Sequence, residues 1–157
     1  MVRFEQVSSQ VAQQLLATAR ALGRAEAGGH RDQSLRGKNI ALLARDSGPA
    51  GERFITAVEQ LGAKASQVGA DMLALDDQHE LQRVARVLDR LYDAVECQGV
   101  PSARVRQLSE LATMHVFNGI ACDEHPTAQL AEQLDDCGSR ADARRWILQA
   151  ALLLTLS

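Results

Sequence analysis

The chain has 157 residues, 46% of them apolar and 24% charged, which suits one ordinary globular domain and falls below the usual size of a two-domain enzyme. Seventeen Lys and Arg stand against 20 Asp and Glu, a net charge of -3, so no global electrostatic pull toward nucleic acid or an acidic membrane is expected. Aromatics make up 3%, leaving almost no material for base-stacking platforms or aromatic cages, and Ala, Leu and Val must build the core.

In chain order, Phe4, Val7, Val11, Leu15 and Leu16 recur near a helical period and predict an amphipathic helix over residues 4–22, ending toward Gly23. A polar linker over 28–34 leads to the apolar run 38–43, which suits a buried strand. That strand stops in Arg45, Asp46, Ser47, Gly48, Pro49, Ala50 and Gly51. From Glu52, the residues Phe54, Ala57, Val58 and Leu61 recur at helical spacing up to Gly62, a natural C-cap.

The pattern then repeats. Residues 63–68 form a second strand candidate, 81–90 a helix with Leu81, Val84, Ala85 and Leu88 on one face, and 91–97 a third strand. Pro101 and Ser102 open a helix over Val105, Leu108, Leu111 and Ala112; residues 114–117 make a fourth strand before Asn118 and Gly119, and 126–134 a further helix. After Cys137, Gly138 and Ser139 a last helix covers about 141–156. Strands that alternate with helices call for parallel pairing, with right-handed crossovers placing helices on both faces. The expected class is α/β: three layers, a four-stranded parallel sheet flanked by helices, and the N- and C-terminal helices packed together on it. A single domain is expected, running from an N-terminal helix (1–25) through an α/β core (35–136) to a closing helix (139–157).

Cys97, Cys122 and Cys137 are odd in number and form no Cys-x-x-Cys pair, which points to reduced thiols rather than a disulfide framework. Residues 1–10 carry Arg3 and Glu5 where a signal peptide needs an apolar core, so the expectation is a cytoplasmic protein. The apolar stretch 146–156 contains Gln149 and is about half the length that spans a bilayer, so it reads as a buried helix and not a membrane anchor. His30, His79, His115 and His125 show no metal-ligand spacing with one another or with the cysteines, and neither metal nor cofactor is expected.

Residues 35–43, 54–62, 87–96, 116–119, 123–127 and 143–153, in this order and spacing, resemble the aspartate and ornithine carbamoyltransferases, and specifically their carbamoyl-phosphate-binding half. Residues 35–43, Leu-Arg-Gly-Lys-Asn-Ile-Ala-Leu-Leu, look like the family's first strand, and Phe54, Ala57, Gln60, Leu61 and Gly62 look like the helix after its phosphate loop. Residues 87–96, Val-Leu-Asp-Arg-Leu-Tyr-Asp-Ala-Val-Glu, are similar to the helix-to-strand passage of the ornithine branch. Val116, Phe117, Asn118 and Gly119, followed by Asp123, Glu124, His125, Pro126 and Thr127, are similar to its next strand and His-Pro-Thr-Gln signature. Residues 143–153 resemble the family's terminal helix, which returns from the amino-acid-binding half to pack on the first domain. Only a few residues separate that helix from Leu134, so the resemblance implies that the amino-acid-binding domain is missing internally while the helix that covers the first domain's apolar surface is kept.

The family holds carbamoyl phosphate with a Ser-Thr-Arg-Thr-Arg loop at a helix N-terminus, where free N–H groups favour anions and the arginines add charge-assisted bonds. The matching five residues here are Ser47, Gly48, Pro49, Ala50 and Gly51, so Ser47 is kept while both arginine positions have become Pro49 and Gly51. The family's third arginine aligns with Gln98, and the glutamine of its His-Pro-Thr-Gln signature with Ala128; His125 and Thr127 match. At roughly 1.5–3 kcal/mol per hydrogen bond to a charged group, three such losses remove on the order of 4–9 kcal/mol. That is about three to six decades of affinity.

The family-matched ligand positions that remain are Ser47, Gly48, His125 and Thr127, and no residue is assigned a catalytic role. The loop admits two readings: a glycine-containing strand-to-helix turn whose N–H groups approach a ligand with Arg45 or Arg53 supplying charge, or a plain turn capped by Ser47, in which Glu52 repels an anion. His125 either sets the helix start before Pro126 or contacts a remaining ligand. Cys97 and Cys122 read as small buried apolar residues, and Arg83, Arg86, Asp89 and Arg90 as a solvated helix face. The resemblance implies a homotrimer, with a full-length carbamoyltransferase paralogue as a second kind of partner. The expected function is a catalytically inactive, single-domain carbamoyltransferase relative in amino-acid metabolism that acts by association; the alternatives are a repurposed binder of a small anionic metabolite and a residual transferase subunit.

Overall fold

The computed structural model describes residues 6–45, 48–73 and 77–157. Four strands, β1 (Asn39–Ala44), β2 (Lys64–Gly69), β3 (Ala94–Gln98) and β4 (His115–Asn118), form one sheet in the order β2-β1-β3-β4, every pair parallel. The helices are α1 (Ser9–Ala27), α2 (Pro49–Gln60), α3 (Gln78–Leu91), α4 (Ser102–Leu111) and α5 (Arg140–Leu156). Two runs of tight 3-10 turns, Ala70–Leu73 and Pro126–Cys137, complete the chain. The three-layer α/β class is the one expected.

Side-chain alternation along the strands divides the core in two. Ile40, Leu42, Ala44, Ala94 and Phe117 face α1, α2, α5 and the Pro126–Cys137 run. Ala41, Leu43, Val95 and Cys97 face α3 and α4, meeting Leu81, Ala85, Leu88, Val105 and Leu108. β1 is buried from Ile40 to Ala44 because it lies inside the sheet with helices on both sides. Edge strand β2 stays half-exposed to exposed throughout.

Several boundaries differ from the sequence expectation, each for a visible reason. Helix α1 starts at Ser9, with the Ser8 hydroxyl accepting from the Val11 amide at 3.2 Å, and continues past Gly23 to Ala27. Residues 4 and 5 lie outside the described residues. Gly23 does not end the helix; it admits the Trp146 ring, whose atoms lie 3.2–3.3 Å from where a Cβ would stand. Helix α3 keeps Leu91, so β3 begins only at Ala94 and extends to Gln98. The segment after His125 is not an ordinary α-helix: it makes repeated 3-10 turns and breaks at Leu134. Its buried positions fall in two neighbouring rows of three-residue period, 128, 131 and 134 beside 127 and 130, the period such turns present on one side.

Asp89 is not an idle member of a solvated face. Its carboxylate accepts from the Thr113 and Met114 amides at 3.0 Å, tying α3 to the entrance of β4. Asp93 does the same for β1, accepting from the Asn39 amide at 2.8 Å.

Candidate functional site

In open parallel sheets, ligands collect beyond the C-terminal ends of the strands. Here those ends deliver Arg45 from β1, Gln98 from β3 and Asn118 from β4, and of the expected positions Gly48, His125 and Thr127 lie at this end. Gly48 is the residue before α2, in an extended conformation and with no side chain to cap the helix, and Pro49 opens the helix. Ser47 lies outside the described residues. Gly51 is buried in the first turn of α2, and a Cβ there would stand 3.3 Å from Leu42 Cδ2 and 3.6 Å from Gln98 Oε1. The Gln98 carboxamide thus lies close against α2, and its Nε2 donates inward to Glu96 Oε2 at 3.3 Å.

His125 and Thr127 are also brought to this end of the sheet, but they bond to each other. His125 Nδ1 accepts from the Thr127 amide at 3.2 Å and lies 2.8 Å from Thr127 Oγ1. Accepting the amide hydrogen bond leaves Nδ1 unprotonated and puts the ring proton on Nε2. Burial, with the charge of Arg144 adding to it, pushes the imidazole down to about 4, so it is neutral at pH 7. Ala128 is buried on the same turn.

Of the two cations that the loop reading offered, Arg53 is committed elsewhere. Arg53 donates to the Ala121 carbonyl and pairs with Asp123 at 3.4 Å. Arg144 of α5 joins the cluster, reaching Asp123 at 2.9 Å and the Cys122 carbonyl at 3.3 Å. Asp123 is held below the ordinary carboxylate range, chiefly by its hydrogen bond from Arg144. Arg45 is exposed.

Between the ends of β3 and β4 lies an open depression of about 510 Å³, walled by Cys97, Ser102, Arg106, Asn118, Cys122 and His125. Its thiols are poor nucleophiles: burial pushes Cys97 up to about 12, with the nearby Glu96 charge adding to it, and raises Cys122 as well. Among the described residues no group of three or more His, Cys, Asp and Glu is placed to hold a metal, and no helix is long and apolar enough to cross a membrane.

Sequence reasoning missed two parts of this site. Glu96, fully buried in β3, accepts from the Ile120 and Ala121 amides at 3.1 and 3.0 Å. The signal for it was an acid directly after the apolar Ala94 and Val95 of the strand. The Arg53–Asp123–Arg144 cluster joins three distant segments and left no such signal.

Comparison with known proteins agrees with this geometry. Residues 1–135 match the aspartate/ornithine carbamoyltransferase, carbamoyl-P binding domain. The chain belongs to that family. The ornithine carbamoyltransferase of Actinobacillus pleuropneumoniae serotype 5b is 36% identical over 121 residues, covering 76% of this chain. A catabolic ornithine carbamoyltransferase of Pseudomonas putida is 33% identical over the same length. This carbamoyltransferase-family chain spans about a third of such relatives, 36% of each. Among solved structures, ornithine carbamoyltransferase from Pyrococcus furiosus superposes with a TM-score of 0.70 at 24% identity, over 83% of this chain and 42% of that one. Aspartate transcarbamoylase from Trypanosoma cruzi in complex with phosphate gives 0.67 at 24% identity, over 85% and 43%. Both likenesses are of fold.

Proposed function

We propose that this chain is a carbamoyltransferase-family domain without transferase chemistry, acting by association with further copies of itself or with a full-length carbamoyltransferase. The observation that carries the first half is the side chain of Gln98. At a position where the family resemblance expects an arginine, it is neutral, turned inward to Glu96 and packed against Gly51. The other two matched arginine positions, Pro49 and Gly51, are the opening of α2 and a buried helical glycine. Arg53 is already bonded to Ala121 and Asp123, and the ring nitrogen and hydroxyl of His125 and Thr127 satisfy each other. A dianion brought to this rim therefore finds the matched arginine positions without charge and Arg53 already bonded, leaving exposed side chains such as Arg106 as the cations within reach, and most of its desolvation goes uncompensated.

The association half rests on the family resemblance, which implies a trimer, and α5 completes the domain that would assemble. Its residues Trp146 to Leu153 are all buried against α1, α2 and the Pro126–Cys137 run. One domain, with 139–157 closing 35–136, is the organisation we propose. Sedimentation velocity across a hundredfold concentration range tests this half. A concentration-dependent shift to a species of three chains, or a changed turnover when the chain is mixed with a full-length carbamoyltransferase, supports it; a monomer throughout, with no effect on that enzyme, sinks it.

The depression beside His125 favours a second reading, a small anionic metabolite held by Arg106 and Ser102. This reading predicts that ligand binding weakens at least tenfold in Arg106→Gln, measured by calorimetry.

A further inference from the structure

Glu96 sits in the middle of β3 with no solvent exposure, between Leu42 of β1 and Phe117 of β4 in the ladder. The side-chain and main-chain groups bonded to it are all N–H donors: Ile120 to Oε1, and Ala121 and Gln98 to Oε2. Two demands conflict here. Three donors call for the ionised carboxylate, which only accepts, whereas complete burial calls for the neutral acid, whose O–H needs an acceptor. The neighbouring cations act from the other side of the turn: Arg53 of α2 and Arg144 of α5 bond the Ala121 carbonyl and ion-pair with Asp123. Cys97 on the strand and Cys122 on the turn are held protonated, and His125 beyond them is neutral, so none supplies compensating charge.

Gln98 can satisfy either form. A carboxamide has donors at one end and an acceptor at the other, and a half-turn exchanges them. We propose that Glu96 and Gln98 form a proton-coupled latch on the turn from Gly119 to Cys122. With Glu96 ionised, Gln98 Nε2 donates to it, as drawn in this structure. When Glu96 takes a proton from solvent, the amide reverses and the new O–H donates to Gln98 Oε1, while the two turn amides keep their carboxyl lone pairs. The turn carries Cys122 and leads to His125, both on the wall of the depression, so the state of the latch is felt there.

Burial pushes the Glu96 carboxyl up to about 7, against the opposing pull of the Ala121 and Ile120 amides, which places the exchange near neutrality. A folded state that holds a proton the unfolded chain has lost is stabilised at low pH. That contribution is complete below the ordinary value of 4.5 and declines as pH rises through about 7.

Carboxyl carbon NMR on the full chain, titrated from pH 4 to 9, tests the latch. One carboxyl resonance, missing from Glu96→Gln, should titrate near pH 7, and the Gln98 side-chain NH₂ and the Ile120 and Ala121 amides should shift with the same midpoint. Gln98→Arg, which places a cation on the carboxyl, should lower that midpoint by about two pH units or more. A Glu96 resonance that titrates near the ordinary carboxylate value, or a Gln98 NH₂ signal that does not follow it, overturns the proposal. Should Glu96→Gln fail to fold, the wild-type and Gln98→Arg titrations decide the matter alone, with the resonance assigned through its strand neighbours. The outcome is independent of whether the chain associates or binds an anion.

Discussion

Two seams of the molecule make opposite use of their polar groups. Along the α1–α5 seam, Arg145 donates two parallel bonds to Glu26 at 2.9 Å and a third to Gln60 at 2.7 Å, and Trp146 Nε1 reaches Glu26 at 3.1 Å. Gln149 adds a bond to the Ala57 carbonyl at 3.2 Å. These bonds knit three helices distant in sequence into one face. At the strand-end rim, by contrast, His125 bonds Thr127, Gln98 bonds Glu96, and Arg53 bonds Asp123. The first two pairs lie two residues apart and the third spans seventy, and each satisfies a group that could otherwise have met a ligand. The comparison teaches that hydrogen-bond satisfaction alone does not mark a working site. What distinguishes a seam from a site is whether charge is left over.

The largest effect should come from the seam. Trp146→Ala removes a ring that fills the space over Gly23 and should cost about 3–5 kcal/mol in urea unfolding. A loss under 1 kcal/mol would mean that α5 is not the element closing the core.

At the rim, the leading stability effect should be a pH dependence. His125 is depressed to about 4 from an ordinary 6.5, so the unfolded chain takes up a proton that the folded one refuses. The His125 contribution to stability is therefore complete above 6.5 and declines as pH falls toward 4, by up to about 3 kcal/mol. His125→Asn keeps an acceptor for the Thr127 amide and should flatten its share of that slope, read from urea midpoints between pH 4 and 7. The Glu96 contribution runs the opposite way over part of this window, so the comparison must be variant against wild type at each pH.

Next in size is Arg145→Met. The side chains of Arg145 and Glu26 are only 11% and 29% exposed, so the variant leaves a mostly covered carboxylate without its cation. It should lose about 2–3 kcal/mol, less than a fully buried pair because Glu26 retains some water. Adding Glu26→Gln should recover part of that loss. The smallest effect is Gly23→Ala, where about 1 kcal/mol of helix propensity is offset by crowding of the Trp146 ring. Thermal unfolding should shift downward by no more than a few degrees, and in the Trp146→Ala background, where the crowding is gone, the shift should turn upward.

Much of the fold was legible in the sequence because alternating strand and helix periods have few parallel-sheet solutions. β1 announced itself as an uninterrupted apolar run, and Phe54, Ala57 and Val58 marked the buried stripe of α2. Gly23 misled because a glycine near a helix end reads locally as a stop, whereas its role depends on Trp146, more than a hundred residues away. Leu91 misled because an apolar residue at a helix-to-strand passage fits either period. At the rim, replaced residues such as Pro49, Gly51 and Gln98 were visible, but their consequences were not. That Gln98 turns inward follows from buried Glu96, and that Arg53 is committed follows from Asp123 across the turn; both are tertiary facts with no local pattern.

The central claim is that the rim lacks the charge to hold a phosphate-bearing dianion. Isothermal titration of the chain with carbamoyl phosphate at pH 7 and low salt measures this directly. The account predicts no saturable heat up to millimolar ligand, while saturable binding at micromolar concentration would contradict it.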